Sequence, residues 1–310
     1  MASNTLTNAI IKTLCYAQIF SYPLTEAELW RYLLHNKKVS KKRFTAHLSQ
    51  NLQVFERRDD YVVLRGDAKL IEERIKRHAI STKKLKKAIL VSRILFYIPT
   101  VQLIGVSGSL SMYNAKREDD IDLFFITSKN FLWTTRFLVN ALLWLLGQKR
   151  MRAETYAQDK ICPNMFMPED HLHIKKPNQN MYTAHEVVQM KVLFAKEHIY
   201  QKFLSQNTWV IRHMPNAFVV PDSAIKQKKH SLHFLASFLS PIEKLLYSAQ
   251  YFYMKKRITN EKVTKTIASF HPSYHKEAIL ALYDLKILHN LYQPARIQKT
   301  KTAANFKQIN

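Results

Sequence analysis

The chain has 310 residues, 47% of them hydrophobic and 12% aromatic, which is enough to bury a sizeable core and excludes wholesale disorder. Its 48 basic and 23 acidic side chains leave a formal charge of +25. Such a field attracts polyanions: nucleic acid, nucleotides or an acidic membrane surface.

Two cysteines, Cys15 and Cys162, exclude a disulfide framework and a four-thiolate zinc site, so a reducing, cytoplasmic setting is expected. Lys12 interrupts the opening apolar stretch and no small-residue cleavage site follows, so a signal peptide is not expected. The length suits about two domains of ~150 residues. Charge is unevenly spread: residues 1–100 carry a net of +11, residues 101–200 a net of +2, and residues 201–310 a net of +12. A nearly neutral middle with its own carboxylates thus lies between two basic arms. Solubility alone is the plainer account of that excess.

In chain order, Leu6, Ile10, Ile11, Leu14 and Ile19 recur at helical spacing up to Ser21-Tyr22-Pro23. Thr25 is placed to cap a second helix, with Glu26 and Glu28 in its first turn. Ser40 caps a third, which carries Phe44, Leu48 and Leu52 on one face and Lys41, Lys42, Arg43 and His47 elsewhere. Two β-prone runs around Asp59-Asp60 predict a hairpin. Three helices and a hairpin form a winged-helix-like module over 1–68. Lys41, Lys42 and Arg43 on its third helix and Arg57 and Arg58 on its wing are the candidate nucleic-acid contacts. A protein-docking scaffold is the competing use of such a module. Residues 69–98 form a connecting basic helix, and its cluster Lys83, Lys84, Lys86 and Lys87 reads first as a solvated face.

The chemistry concentrates in 99–178. The buried-strand pattern of residues 101–107 runs into Gly108-Ser109, and after ten intervening residues Asp120-Ile121-Asp122 opens the apolar run 123–126. Alternation along a strand puts Asp120 and Asp122 on one side, where two carboxylates can hold one or two Mg²⁺ ions and position a triphosphate. Glycine at 108 allows close backbone approach, and the following N–H groups with the Ser109 hydroxyl can meet phosphate oxygens. The apolar stretch 131–146, interrupted by Arg136 and Asn140, is too short for a comfortable membrane span and is expected to be a helix laid on the sheet.

Gly-Ser, a spacer of ten residues, then Asp-x-Asp followed by hydrophobic residues resembles the DNA polymerase β-type nucleotidyltransferase signature over about residues 95–170. Tyr22-Pro23-Leu24-Thr25 and the segments 253–256 and 270–272 are similar to prokaryotic proteins that carry such a domain. The resemblance implies an α+β chain with a mixed nucleotidyltransferase sheet, and transfer of a nucleoside monophosphate from an NTP to a hydroxyl with release of pyrophosphate. It implies Asp120 and Asp122 as metal ligands for Mg²⁺ or Mn²⁺, and Gly108 and Ser109 as phosphate-binding residues. The family's third carboxylate lies on a later strand. The strand pattern at 161–167 has Asn164 near that place, and the nearest acids are Asp159, Glu169 and Asp170. Either Asp159 completes the catalytic set, or the site binds nucleotide and turns over poorly as a regulatory or nucleic-acid-binding module.

Residues 179–293 read as a helical domain, opening with a helix over 182–204 capped by Thr183 with Glu186 in a capping-box pattern. The cluster 226–230 is basic, an apolar helix over 242–253 follows, and a last helix runs from about 276 to 291. The basic tail 294–310 is expected to be disordered. Expected partners are a nucleoside triphosphate and RNA or DNA drawn in by the basic flanks, with a protein acceptor as the alternative; a membrane is not expected.

Overall fold

The computed structural model describes residues 2–51, 54–151, 157–220, 233–255, 262–269 and 273–292. The basic cluster 226–230, the segment 270–272 and the tail 294–310 lie outside the described residues. The chain divides into two compact units. One comprises Met1–Arg74, Ile211–Phe218 and Lys276–Asn310, and the other Ile75–Val210 and Val219–His275.

In the first unit, α1 (Ala2–Ile19), β1 (Leu24–Thr25), α2 (Glu26–Arg31), α3 (Lys41–Gln50), β2 (Phe55–Arg58) and β3 (Tyr61–Leu64) follow one another, and the strands form an antiparallel sheet ordered β1-β3-β2. Local chemistry sets the boundaries. The Thr25 hydroxyl accepts from the Glu28 N–H while the Glu28 carboxylate accepts from the Thr25 N–H, a reciprocal cap that starts α2. Ser40 accepts from Arg43 N and starts α3. Asp59, in the left-handed region at φ 51°, turns the hairpin. Ile10, Leu29, Phe44, Leu48, Phe55 and Val62 are buried. The two-residue strand β1 was not anticipated; it is too short to carry a sequence period.

Glu28 has a second role. Its carboxylate accepts from Tyr22 Oη (2.7 Å) and pairs with the buried Arg74 guanidinium (3.2 Å), which also donates to Tyr22 Oη and lies 4.1 Å from the Tyr22 ring centroid. Burial, then the Glu28 charge, keeps the Tyr22 phenol protonated far above its usual range.

The second unit is a mixed sheet with helices. Its elements are α4 (Leu70–Leu95), within which the division between units falls, β4 (Val101–Val106), α5 (Gly108–Ser111), β5 (Ile121–Thr127), α6 (Leu132–Leu145), β6 (Ile161–Pro168), α7 (Met181–Gln189), β7 (Lys191–Ala195), α8 (Ile199–Ser205), α9 (His233–Lys255), β8 (Lys262–Thr264) and β9 (Ile267–Ser269). The strand order is β7-β4-β5-β6-β9-β8. Every neighbouring pair is antiparallel except β5 and β6, which are parallel and joined through α6. Phe125 and Phe166 stack at 4.7 Å in a core that includes Leu95 and Val91 of α4 and Trp133, Val139 and Leu143 of α6. Phe124, pointing the other way by strand alternation, meets Phe203 of α8 at 5.8 Å. Glu243 of α9 accepts from Trp133 N, Thr134 N and Thr134 Oγ1, capping α6 from another helix.

Three expectations need correction. The helix expected over 182–204 is instead α7, β7 and α8, because Val192, Leu193, Phe194 and Ala195 gain more by extending along β4 than by continuing a helix. Asn180, not Thr183, caps α7. Residues 179–293 therefore supply three strands to the sheet as well as helices. Lys84, expected on a solvated face, is buried. Among the described residues no helix is long and apolar enough to cross a membrane.

Removing the Glu28 carboxylate takes a charged partner from the buried Arg74 guanidinium, so Glu28→Ala should cost about 3 kcal/mol. Glu72→Ala, at an exposed first-turn position of α4, should cost under ~0.5 kcal/mol. Urea unfolding of the two variants beside the parent checks this, and equal costs would refute the assigned role of the Tyr22–Glu28–Arg74 cluster.

Candidate functional site

The site forms where β4 ends and β5 and β6 begin. β4 runs through Ser107 into Gly108, whose φ of +64° is left-handed backbone that a side chain strains. A Cβ built at 108 would lie 3.7 Å from Asp122 Oδ2, so the turn passes directly over that carboxylate. Ser109 is tied in the same place: its Oγ donates to Asp119 Oδ2 (3.2 Å), which also accepts from Lys116 N (2.9 Å).

Helix α4 fastens the loop that leads into β5. The buried Lys84 ammonium donates to Arg117 O (3.0 Å), Asp119 O (2.6 Å) and Asp159 Oδ1 (2.7 Å). Ser81 Oγ accepts from Ala115 N, and Arg77 donates to Asn114. These bonds hold the backbone just before the aspartates in one conformation and satisfy a buried cation that would otherwise be costly.

Parallel pairing then sets the chemistry. Asp122 of β5 is in register with Cys162 of β6, and residues paired in this way project to the same face. Asp120, Asp122 and Cys162 bring their ligand atoms within 4.8 Å of one another, the only group of three or more His, Cys, Asp or Glu side chains found this close among the described residues. Arg150 Nη1 donates to Asp120 Oδ2 at 2.5 Å. It is placed by a short bridge in which Lys149 pairs with Ile161 and the Arg150 N–H donates to Ile161 O.

The electrostatics follow from crowding. Burial, then the Asp120 charge, pushes the Asp122 carboxyl up to about 7, against the opposing pull of a hydrogen bond from Cys162 and the charge of Arg150; Asp119 adds to the rise. Burial, then the charges of Asp122 and Asp120, drives the Cys162 thiol well above its ordinary range. Burial also keeps the Tyr182 phenol of α7 protonated, with Glu186 and then Asp122 adding to the effect, so Tyr182 is within electrostatic reach of the pair.

The anticipated residues divide accordingly. Asp120, Asp122 and Gly108 come together, whereas the Ser109 hydroxyl is bonded to Asp119. Asp159, the candidate third carboxylate, is ion-paired with Lys84 and is not part of the close group. Asn164 is buried two residues beyond Cys162. In the first unit, Lys41, Lys42 and Arg43 are exposed in the first turn of α3, whereas Arg57 pairs with Glu26 (3.1 Å) and Arg58 with Glu56 (3.5 Å). Sequence reasoning missed Cys162 and Arg150. The β6 pattern was legible, but its register against Asp122 was not, and Arg150 sits in a loop with no motif.

As a donor set, two carboxylates and a thiol can hold a divalent cation. Magnesium prefers oxygen and near-octahedral surroundings, so the carboxylates suit it and the sulfur does not. Comparison with known proteins adds no relative: no family model, no curated protein and no solved structure matches the chain.

The raised Asp122 carboxyl links stability to pH. In the unfolded chain it ionises from about pH 4, but in the fold only near 7, so the fold loses stability across that interval and not above it. Asp122→Asn should therefore gain on the parent as pH rises from 5 to 7.5, by about 2–4 kcal/mol at full effect. Denaturation midpoints in chelator at several pH values read this out, and a pH-independent difference would count against it.

Proposed function

We propose that the chain is a divalent-metal-dependent nucleotidyltransferase that moves a nucleoside monophosphate from an NTP to a hydroxyl and releases pyrophosphate. The carrying observation is that Asp120 and Asp122 open β5 directly beneath the Gly108 turn. When bound there, the cation would supply Lewis-acid stabilisation of charge on the transferring phosphoryl group.

The chain's own residues account for the rest. Asp120 and Asp122 would hold the cation. Gly108, which lacks a Cβ, would let phosphate oxygens approach backbone N–H groups, with the Ser109 hydroxyl beside them. Arg150 pairs with Asp120. Once a cation takes up that carboxylate, the guanidinium would be released to meet a phosphate, for which its planar fork is suited. Lys84 would keep the approach loop from moving away as charge shifts.

The order α1-β1-α2-α3-β2-β3 in the first unit supports the winged-helix reading. Lys41, Lys42 and Arg43 at the exposed start of α3, with the +25 charge, favour a nucleic-acid acceptor such as RNA. Cys15 and Cys162 are both free, in keeping with a cytoplasmic setting.

A second reading is favoured by one observation: Cys162, not a carboxylate, stands in register with Asp122. Among the described residues, no third acid that could balance a second cation or help deprotonate the acceptor joins the close group. A site of this kind can retain nucleotide and act as a sensor or nucleic-acid-binding module without efficient transfer.

Transfer of label from α-labelled NTPs to RNA or protein, with Mg²⁺, Mn²⁺ or Zn²⁺, separates the two. The first reading expects label that falls at least about a hundredfold in the Asp120→Asn/Asp122→Asn variant. The second expects metal-dependent NTP binding with no label. Absence of both binding and label would refute the pair of readings.

A further inference from the structure

We propose that Asp120, Asp122 and Cys162 hold one borderline-soft divalent cation of the zinc class, through a Cys162 thiolate, instead of the all-oxygen magnesium pair that the polymerase β-type resemblance implies. The inference deepens the reading of this site as a metal-dependent nucleotide site, and rests on it.

Register is the first argument. In a parallel pair, the residue opposite Asp122 is set by the β5–β6 ladder, and that residue is Cys162. Among the described residues, the third side chain that joins the two carboxylates is the one the sequence supplies at 162. Donor count is the second. Two carboxylate oxygens and one sulfur, drawn from two adjacent strands and within 4.8 Å of one another, match the three-protein-ligand layout of open zinc sites, in which a fourth position is left for water or substrate. Sulfur favours zinc and cobalt over magnesium, and affinity for mixed N, O and S sites rises from manganese through cobalt to zinc. The alternative carboxylate, Asp159, is bound to buried Lys84.

The surroundings fit the same assignment. Gly108 takes the left-handed backbone that carries the turn within van der Waals distance of Asp122, with no side chain of its own beside the carboxylate. The Cys162 thiol lies beside the Asp122 carboxyl, within 4.8 Å, and a hydrogen bond from it opposes the rise of that carboxyl. Coordination replaces that hydrogen bond: the thiol proton passes to solvent, and the sulfur and the Asp122 oxygen both turn to the cation, as ligand deprotonation on metal binding requires. Arg150 loses its partner in the same event. The consequence is a site with one cation, one open position and one released guanidinium, suited to a nucleoside triphosphate bound through its phosphates.

Titration of the full-length protein with Co²⁺ tests this without relying on activity. A sulfur-to-cobalt charge-transfer band in the near ultraviolet is expected to grow to one equivalent, to be lost in Cys162→Ser and to persist in Cys15→Ser. Zn²⁺ should displace the cobalt at a concentration at least about a hundredfold below any at which Mg²⁺ does so. Cys162→Ser should weaken Zn²⁺ binding by about a hundredfold or more, with circular dichroism confirming that it folds. Cys162→Asp should abolish the band and shift preference towards Mg²⁺. A cobalt site without the band, a band surviving in Cys162→Ser, or equal competition by Mg²⁺ would overturn the proposal. Failure of the underlying reading looks different: the charge-transfer band forms, yet no NTP binds and no label moves.

Discussion

The arrangement of the site depends on the parallel ladder between Ile121–Thr127 and Ile161–Pro168. Among the described strands it is the one parallel ladder in a sheet whose other ladders are antiparallel, and it requires the crossover that Leu132–Leu145 supplies. Parallel strands begin at the same end, so the carboxylates that open one and the thiol that opens the next share an edge. The core residues Phe125 and Phe166, stacked on neighbouring strands, lock the ladder in place. A slip of one residue would send Phe166 to the wrong face and move Cys162 away from Asp122 together. Core packing and site geometry are thus set by a single register.

The same edge concentrates unfavourable charge, and the surrounding structure compensates for it. Asp120 and Asp122 repel, Asp122 is desolvated, and the fold answers with Arg150 on one carboxylate and the Cys162 thiol on the other. Lys84, anchored in the long helix Leu70–Leu95, offsets the carbonyls of the approach loop and takes up Asp159. Sites that hold two like charges in a rigid frame gain when a cation arrives, because the repulsion already built into the fold is relieved on binding.

The first unit solves a more ordinary problem. Its helices begin at side-chain caps, Thr25 and Ser40, and its hairpin turns at Asp59. Each device acts within a few residues. The exception is Glu28, which closes a local capping box and also neutralises Arg74, 46 residues away. Local and long-range roles on one carboxylate explain why its neighbours Tyr22 and Arg74 can both be buried.

Local signals carried much of this. Helix starts at Thr25 and Ser40, the hairpin around Asp59-Asp60, the strands at 101–106 and 121–127, and the Gly-Ser and Asp-x-Asp motifs all lie within spans where propensity, period and capping act. Such features follow from neighbouring residues alone, as the excess of positive charge follows from composition. Tertiary structure decided the rest. Residues 191–195 became a strand because an edge of β4 was free to pair with them, which no local period reveals. Lys84 is buried because carbonyls and a carboxylate from distant segments converge on it. Glu243 caps a helix more than a hundred residues earlier in the chain. Cys162 stands beside the two carboxylates, and Asp159 does not, because strand register and a competing lysine are properties of the assembled sheet. A residue's type limits the chemistry it can perform; its partners across the fold decide which of those roles it fills.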